Sequence, residues 1–200
     1  SASTSANKPV GSIATLSDWL VNGFWQNQSP TPALPHHWAS HTITYNLGNL
    51  NAQEQALALS ALNAWQEVAN ISFVLVSSGA NINFNHNGTM QAVTSGNWSF
   101  GGAINSMTVD ISTDWVTNDG GAMDGRTGIN SYAYQTYIHE IGHALGLGHQ
   151  GLYNGSANYA NSAQWANDTW QYSIMSYFAQ DNYGGSYRYV DTPQMAKSGA

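Results

Sequence analysis

Leu16, Trp19, Leu20, Gly23 and Phe24 recur at helical spacing near the start of the chain, and the Pro-punctuated stretch Ser29 to Pro35 ends the pattern. This predicts a short helix and then a loop. Thr42-Ile43-Thr44-Tyr45-Asn46-Leu47 alternates, is rich in β-formers and is closed by Gly48, the pattern of a first strand. Asn51 followed by Glu54 resembles a capping box, and Leu57, Ala61, Ala64, Trp65 and Val68 place an apolar stripe along a helix from about Ala52 to Ala69. Further strands are expected at Ile71 to Val76, Asn81 to Phe84, a Gly-flanked segment near Trp98 to Gly101, and Met107 to Ser112. The Gly-, Asn- and Asp-rich stretch Asn118 to Gly128 reads as loop, after which Asn130 or Ser131 can cap a helix over about Tyr132 to Leu145. Beyond His149 the chain is polar and irregular, with no repeat or heptad.

Two hundred residues fit a single domain, expected to divide at a cleft into an upper lobe of about 1–149 and a small lower lobe of about 150–200. Hydrophobic residues at 42% can fill a core. Four Lys plus Arg against 11 Asp plus Glu give a net charge of −7, which offers no basic surface to nucleic acid or anionic lipid. No apolar run approaches the roughly 20 residues that cross a bilayer, and Ser1 to Lys8 lacks the charged and apolar regions of a signal peptide. A mature, soluble chain is the expectation. The absence of cysteine excludes disulfides and thiolate metal sites, and leaves His and carboxylates as metal ligands.

The chemistry concentrates on the second long helix, which reads His139-Glu140-Ile141-Gly142-His143-Ala144-Leu145-Gly146-Leu147-Gly148-His149. Residues four apart share a helical face, so His139 and His143 can grip one ion. Gly146 falls where the helix should stop, which lets His149 swing back as a third ligand. Three imidazoles leave zinc an open position for water, and Glu140, on another side of the helix, can act on that water as general base. A short His-Glu-x-x-His match alone arises often by chance. The glycine three residues further on, the third histidine six residues further on, and a helix predicted independently set this one apart. His36, His37, His41 and His86 lack ligand spacing to this cluster and are expected at the surface or in hydrogen bonds. Asp110, Asp114, Asp119 and Asp124 raise the question of calcium, but their spacing fits no calcium loop, and solvated carboxylates are the expectation.

This extended signature, with Ser173-Ile174-Met175-Ser176-Tyr177-Phe178 downstream, resembles the metzincin zinc endopeptidases, and the later stretch looks like their methionine turn. The wording of both motifs, with Gly151, Tyr153 and Asn154 between them, is most similar to the serralysins, bacterial secreted alkaline proteases. The close match runs from about Ser131 to Phe178. Gln150 and Leu152 depart from it, standing where Pro and Asp are usual, and no glycine-rich nonapeptide repeat of the kind that follows a serralysin catalytic domain is present.

The resemblance implies an α+β fold with a twisted, mixed, mostly parallel sheet, two main helices and a small irregular C-terminal lobe. It implies that Met175 forms an apolar floor under the histidines. It also implies that Tyr177 is an extra, movable metal ligand that helps hold the oxyanion, and that a peptide lies extended along an edge strand, placed here around Asn97 to Gly101. The expected function is zinc-dependent hydrolysis of internal peptide bonds by a secreted, extracellular, monomeric enzyme acting on proteins or peptides. The alternative is a zinc-bearing binding or toxin component that no longer cleaves.

Overall fold

The computed structural model describes residues 8–122 and 126–185. They form two compact units, one spanning His36–Gly146 and the other joining residues 8–35 to 147–185.

The first unit is built on a five-stranded sheet: β1 (Thr42–Asn46), β2 (Ser72–Leu75), β3 (Ile82–Asn85), β4 (Ala92–Trp98) and β5 (Ile104–Ile111). The spatial order is β2-β1-β3-β5-β4, parallel except for β4, which runs antiparallel to β5 at the edge. The α+β class and the mixed, mostly parallel sheet match the expectation. Ile43, Tyr45, Ile82, Phe84, Met107, Val109 and Ile111 are buried at alternate positions, as a half-covered sheet requires. At the β4–β5 end Asn97 pairs with Ser106 and Trp98 with Ile104, so Asn105 is an extra, bulged residue. The bulge turns both Ile104 and Met107 into the core.

Helix α3 (Ala52–Val68) starts at the predicted capping box: the Asn51 side chain accepts from the Glu54 N–H at 3.0 Å, and the Glu54 carboxylate accepts from the Asn51 N–H at 2.9 Å. Its inner stripe, Leu57, Ala58, Ala61, Leu62, Ala64 and Trp65, is buried, and the Trp65 indole donates to the Ile138 carbonyl of α5 (Tyr132–Ala144). Helix α5 is buried nearly all round. Its exposed-end donors are met by Ser131, which accepts from Tyr134 N–H, and by Asp119, which accepts from Ala133 N–H at 2.6 Å. At the other end Gly146 takes φ +103°, and a Cβ there would collide with the His36 carbonyl, so only glycine can stop the helix in this way. A short helix, α4 (Thr113–Thr117), precedes the loop, where the pattern predicted none.

The edge strand is a correction. It was expected at Asn97 to Gly101, yet β4 ends at Trp98, and Ser99 to Gly102 form the turn into β5. The inward positions of β4 are Ala92, Thr94 and Gly96, which are small because neighbouring atoms lie close; a Cβ on Gly96 would strike the Met107 sulfur. No large apolar residue marks the inner face, so the alternation is invisible in the sequence.

In the second unit a helical turn, α1 (Ile13–Asp18), continues as a π-turn over Trp19–Gly23 and a last turn, α2 (Phe24–Gln26), burying Leu16, Leu20 and Phe24. It packs on the stretch 147–150: Gly148 N–H donates to Leu20 O, the Trp19 indole donates to His149 O at 3.1 Å, and the Gln150 amide donates to Leu16 O. Asn167 pairs with both backbone groups of Gly11 at 2.9 Å. Among the described residues, no helix is long and apolar enough to cross a membrane.

Candidate metal centre

His139 and His143 stand one turn apart on α5, and their Nε2 atoms are 3.1 Å apart with the rings near perpendicular. Two nitrogens each about 2.0–2.1 Å from one tetrahedral zinc are separated by roughly 3.3 Å. The observed spacing fits one ion. His149 lies three residues beyond Gly146, and one nitrogen of each of His139, His143 and His149 is within 4.8 Å of the other two. An all-imidazole set suits zinc better than a hard cation, which prefers oxygen.

Glu140 is buried on α5, and the Thr94 hydroxyl lies 2.7 Å from its Oε2 and 2.9 Å from its carbonyl oxygen. Burial pushes the Glu140 carboxyl up to about 7, and the Thr94 hydrogen bond opposes that rise.

The environment of His149 is aromatic. Its ring stacks on Tyr153 at 5.6 Å, meets Tyr177 edge-on at 4.6 Å and meets Phe24 at 5.7 Å. Tyr153 is buried and its hydroxyl donates to Asp168, at 3.0 Å from Oδ1 and 3.2 Å from Oδ2. Burial, then the Asp168 charge, raise the Tyr153 phenol well above its ordinary value. Asp168 is itself fully buried, and burial pushes its carboxyl up to about 6 against hydrogen bonds from Ser176 and Tyr153 and the charge of Lys8.

Met175 is fully buried in the predicted turn. The Met175 N–H donates to Ser173 Oγ, and its carbonyl accepts from the Gln150 N–H at 3.2 Å. A proline at position 150 could not make this bond. Tyr177 is half-buried, and its hydroxyl accepts from Gly155 N–H at 3.3 Å.

The remaining histidines take other parts. His36 is buried, stacks on Trp98 at 4.0 Å, and is driven down to about 4 by burial and then by the His37 charge. His41 bonds Asn70, and His86 pairs with the buried Glu54 at 2.7 Å. Asp110 accepts from Asn87, Asp114 from Ser112 and Met90 N–H, and Asp119 from Ala133 N–H; Asp124 lies outside the described residues. Thr94, Trp19 and Asp168 were not picked out from sequence as parts of the site. No local motif marks them, because each acts on a residue 15 to 130 positions away.

A helix bearing two histidines and a buried glutamate, a third histidine past a left-handed glycine, and a buried methionine turn define a metzincin-type metallopeptidase domain. Residues 37–154 match the Matrixin model of the peptidase M10 family, and the chain belongs to that family. It is serralysin-like within it. It is 37% identical over 144 residues to metallopeptidase AprA of Pseudomonas marginalis, covering 66% of this chain and 28% of that protein. It is 35% identical over 188 residues to serralysin B of Dickeya chrysanthemi, covering 89% and 35%. With a serralysin of Photorhabdus laumondii the identity is 31% over 144 residues, 69% of this chain and 29% of the relative. The chain thus spans about a third of the length of these relatives.

Proposed function

We propose that the chain is the catalytic domain of a zinc-dependent endopeptidase that hydrolyses internal peptide bonds of proteins, with His139, His143 and His149 as ligands. The observation that carries this reading is the convergence of three imidazole nitrogens within 4.8 Å, with a buried carboxylate at the very next residue after the first. Bound zinc supplies a water whose pKa falls to about 7 and polarises the substrate carbonyl.

The chain's own groups do the rest. Glu140 takes the proton from the attacking water and passes it to the leaving amine. The Tyr177 phenol, which meets the His149 ring edge-on, would be an extra ligand to the bound ion and a donor to the developing oxyanion. Met175, fully buried in its turn, serves as the apolar floor of the site. A peptide pairs with the edge strand β4 through backbone hydrogen bonds, which aligns the scissile bond without demanding a particular side chain. An extracellular, monomeric enzyme acting on protein or peptide substrates completes the reading.

Casein hydrolysis with and without a zinc chelator tests it, together with Glu140→Gln. The variant is expected to keep one zinc per chain and to lose at least about a hundredfold in turnover. A zinc-bearing binding protein would keep its activity in that variant, and wild-type turnover by it sinks the assignment of Glu140.

A further inference from the structure

We infer that Thr94, on the edge strand β4, is a positioning residue that fixes the Glu140 carboxylate for proton transfer through a hydrogen bond to Oε2. The inference rests on the reading of Glu140 as the base.

Three observations carry it. Along β4 the partly covered positions are Ala92, Thr94 and Gly96, and the exposed ones are Val93, Ser95 and Asn97, so Thr94 is on the covered face of the strand. It is the one hydroxyl on that face. A hydroxyl turned away from water needs a partner, and Thr94 has two acceptors on a single residue, Glu140 Oε2 at 2.7 Å and Glu140 O at 2.9 Å. It carries one hydrogen. The carboxylate oxygen is the nearer and, when charged, the stronger acceptor, so the hydrogen belongs there.

The consequence concerns geometry. A glutamate side chain has three rotatable bonds, and on a helix with no other side-chain partner it would lose its aim. With Oε2 held by Thr94, Oε1 becomes the oxygen that meets the water proton, and its position is set by the sheet. The same strand whose outer edge would align the peptide therefore aligns the base from its inner face. Because the Thr94 side chain points inward, removing its hydroxyl leaves the outer edge of β4 as it was. The expected loss is in kcat rather than in KM.

The experiment compares zinc-loaded wild type, Thr94→Val, Thr94→Ser and Thr94→Ala on a peptide substrate. Thr94→Val is expected to lose about tenfold or more in kcat with KM within about twofold. Thr94→Ser restores kcat to within about threefold, and zinc content is equal throughout. A second measurement needs no turnover: in metal-free protein, Thr94→Val should lower the melting temperature by about 3 °C or more when residue 140 is Glu, and by clearly less in a Glu140→Leu background. Wild-type kcat in Thr94→Val, or a Thr94→Ser as slow as Thr94→Val and Thr94→Ala, overturns the inference. So does an equal melting shift in the two backgrounds. Should the wild type not cleave peptides at all, the functional reading fails first, and the metal-free comparison still decides whether Thr94 holds Glu140.

Discussion

Asp168 is a carboxyl with no exposure, hydrogen-bonded by Tyr153, which in turn stacks on His149. Burial favours its neutral form and lifts it from about 3.8 to about 6. The sign follows from proton counts: between those values the folded chain holds a proton that the unfolded chain has lost, so stability falls as pH rises from about 4 to about 6. The full difference is on the order of 3 kcal/mol. Asp168→Asn removes the titration while keeping an oxygen for the Tyr153 hydroxyl. In metal-free protein the difference in stability between wild type and Asp168→Asn is expected to change in the variant's favour across that interval and to be flat above it. Urea titrations at pH 4, 5, 6 and 7 check this, and parallel curves for the two proteins would show that Asp168 ionises at its ordinary value.

At the scale of elements, the N-terminal helical segment is the part whose role is least expected. Trp19 donates to the His149 carbonyl, Leu20 accepts from Gly148 and Leu16 from Gln150, so the backbone that carries the third histidine is held on both sides of that residue. Groups that orient a ligand from behind are worth about ten- to a hundredfold in metal affinity. Trp19→Phe keeps an aromatic packing residue and deletes the indole donor, and zinc affinity is expected to fall about tenfold, read by competition with a chromophoric chelator. An affinity within twofold of wild type would reduce the segment to packing. The helical stripe Leu16, Trp19, Leu20 and Phe24 was legible from spacing alone, as were α3 with its capping box and α5 with its Ser131 cap, because local periodicity and capping chemistry encode them. What the stripe packs on was not legible, since a contact over about 130 residues has no local signature. Strand β4 failed for another reason: Ala92, Thr94 and Gly96 are chosen for small size and one hydroxyl, and neither choice produces alternation. The histidine signature was plain at once, whereas the residues that aim it, Thr94 and Trp19, look like ordinary strand and helix residues until their partners are seen.

Over the whole molecule, the means of stabilisation are few. The chain has no cysteine, and only 4 Lys plus Arg stand against 11 Asp plus Glu, so covalent staples are absent and ion pairs are limited. What remains is the aliphatic and aromatic core, saturated hydrogen bonding such as that of Glu54, and any ion that binds only the folded chain. Glu54 shows the second device: it is fully buried, and Asn51 N–H, Thr113 Oγ1 and His86 Nδ1 surround its carboxylate at 2.7 to 2.9 Å. On the function proposed above, the third device is zinc at the histidine triad. A ligand present at about 100 times its Kd adds about 2.7 kcal/mol to folding, provided that the unfolded chain does not bind it. In a chain of this length 1 kcal/mol shifts the melting temperature by about 2–4 °C. Chelation is therefore expected to lower the melting temperature by about 5–10 °C, and added zinc to restore it. Magnesium, which favours octahedral oxygen ligands, should not restore it. A scanning-calorimetry trace that is the same in chelator and in excess zinc would mean that the three nitrogens, though convergent, do not hold the metal in solution.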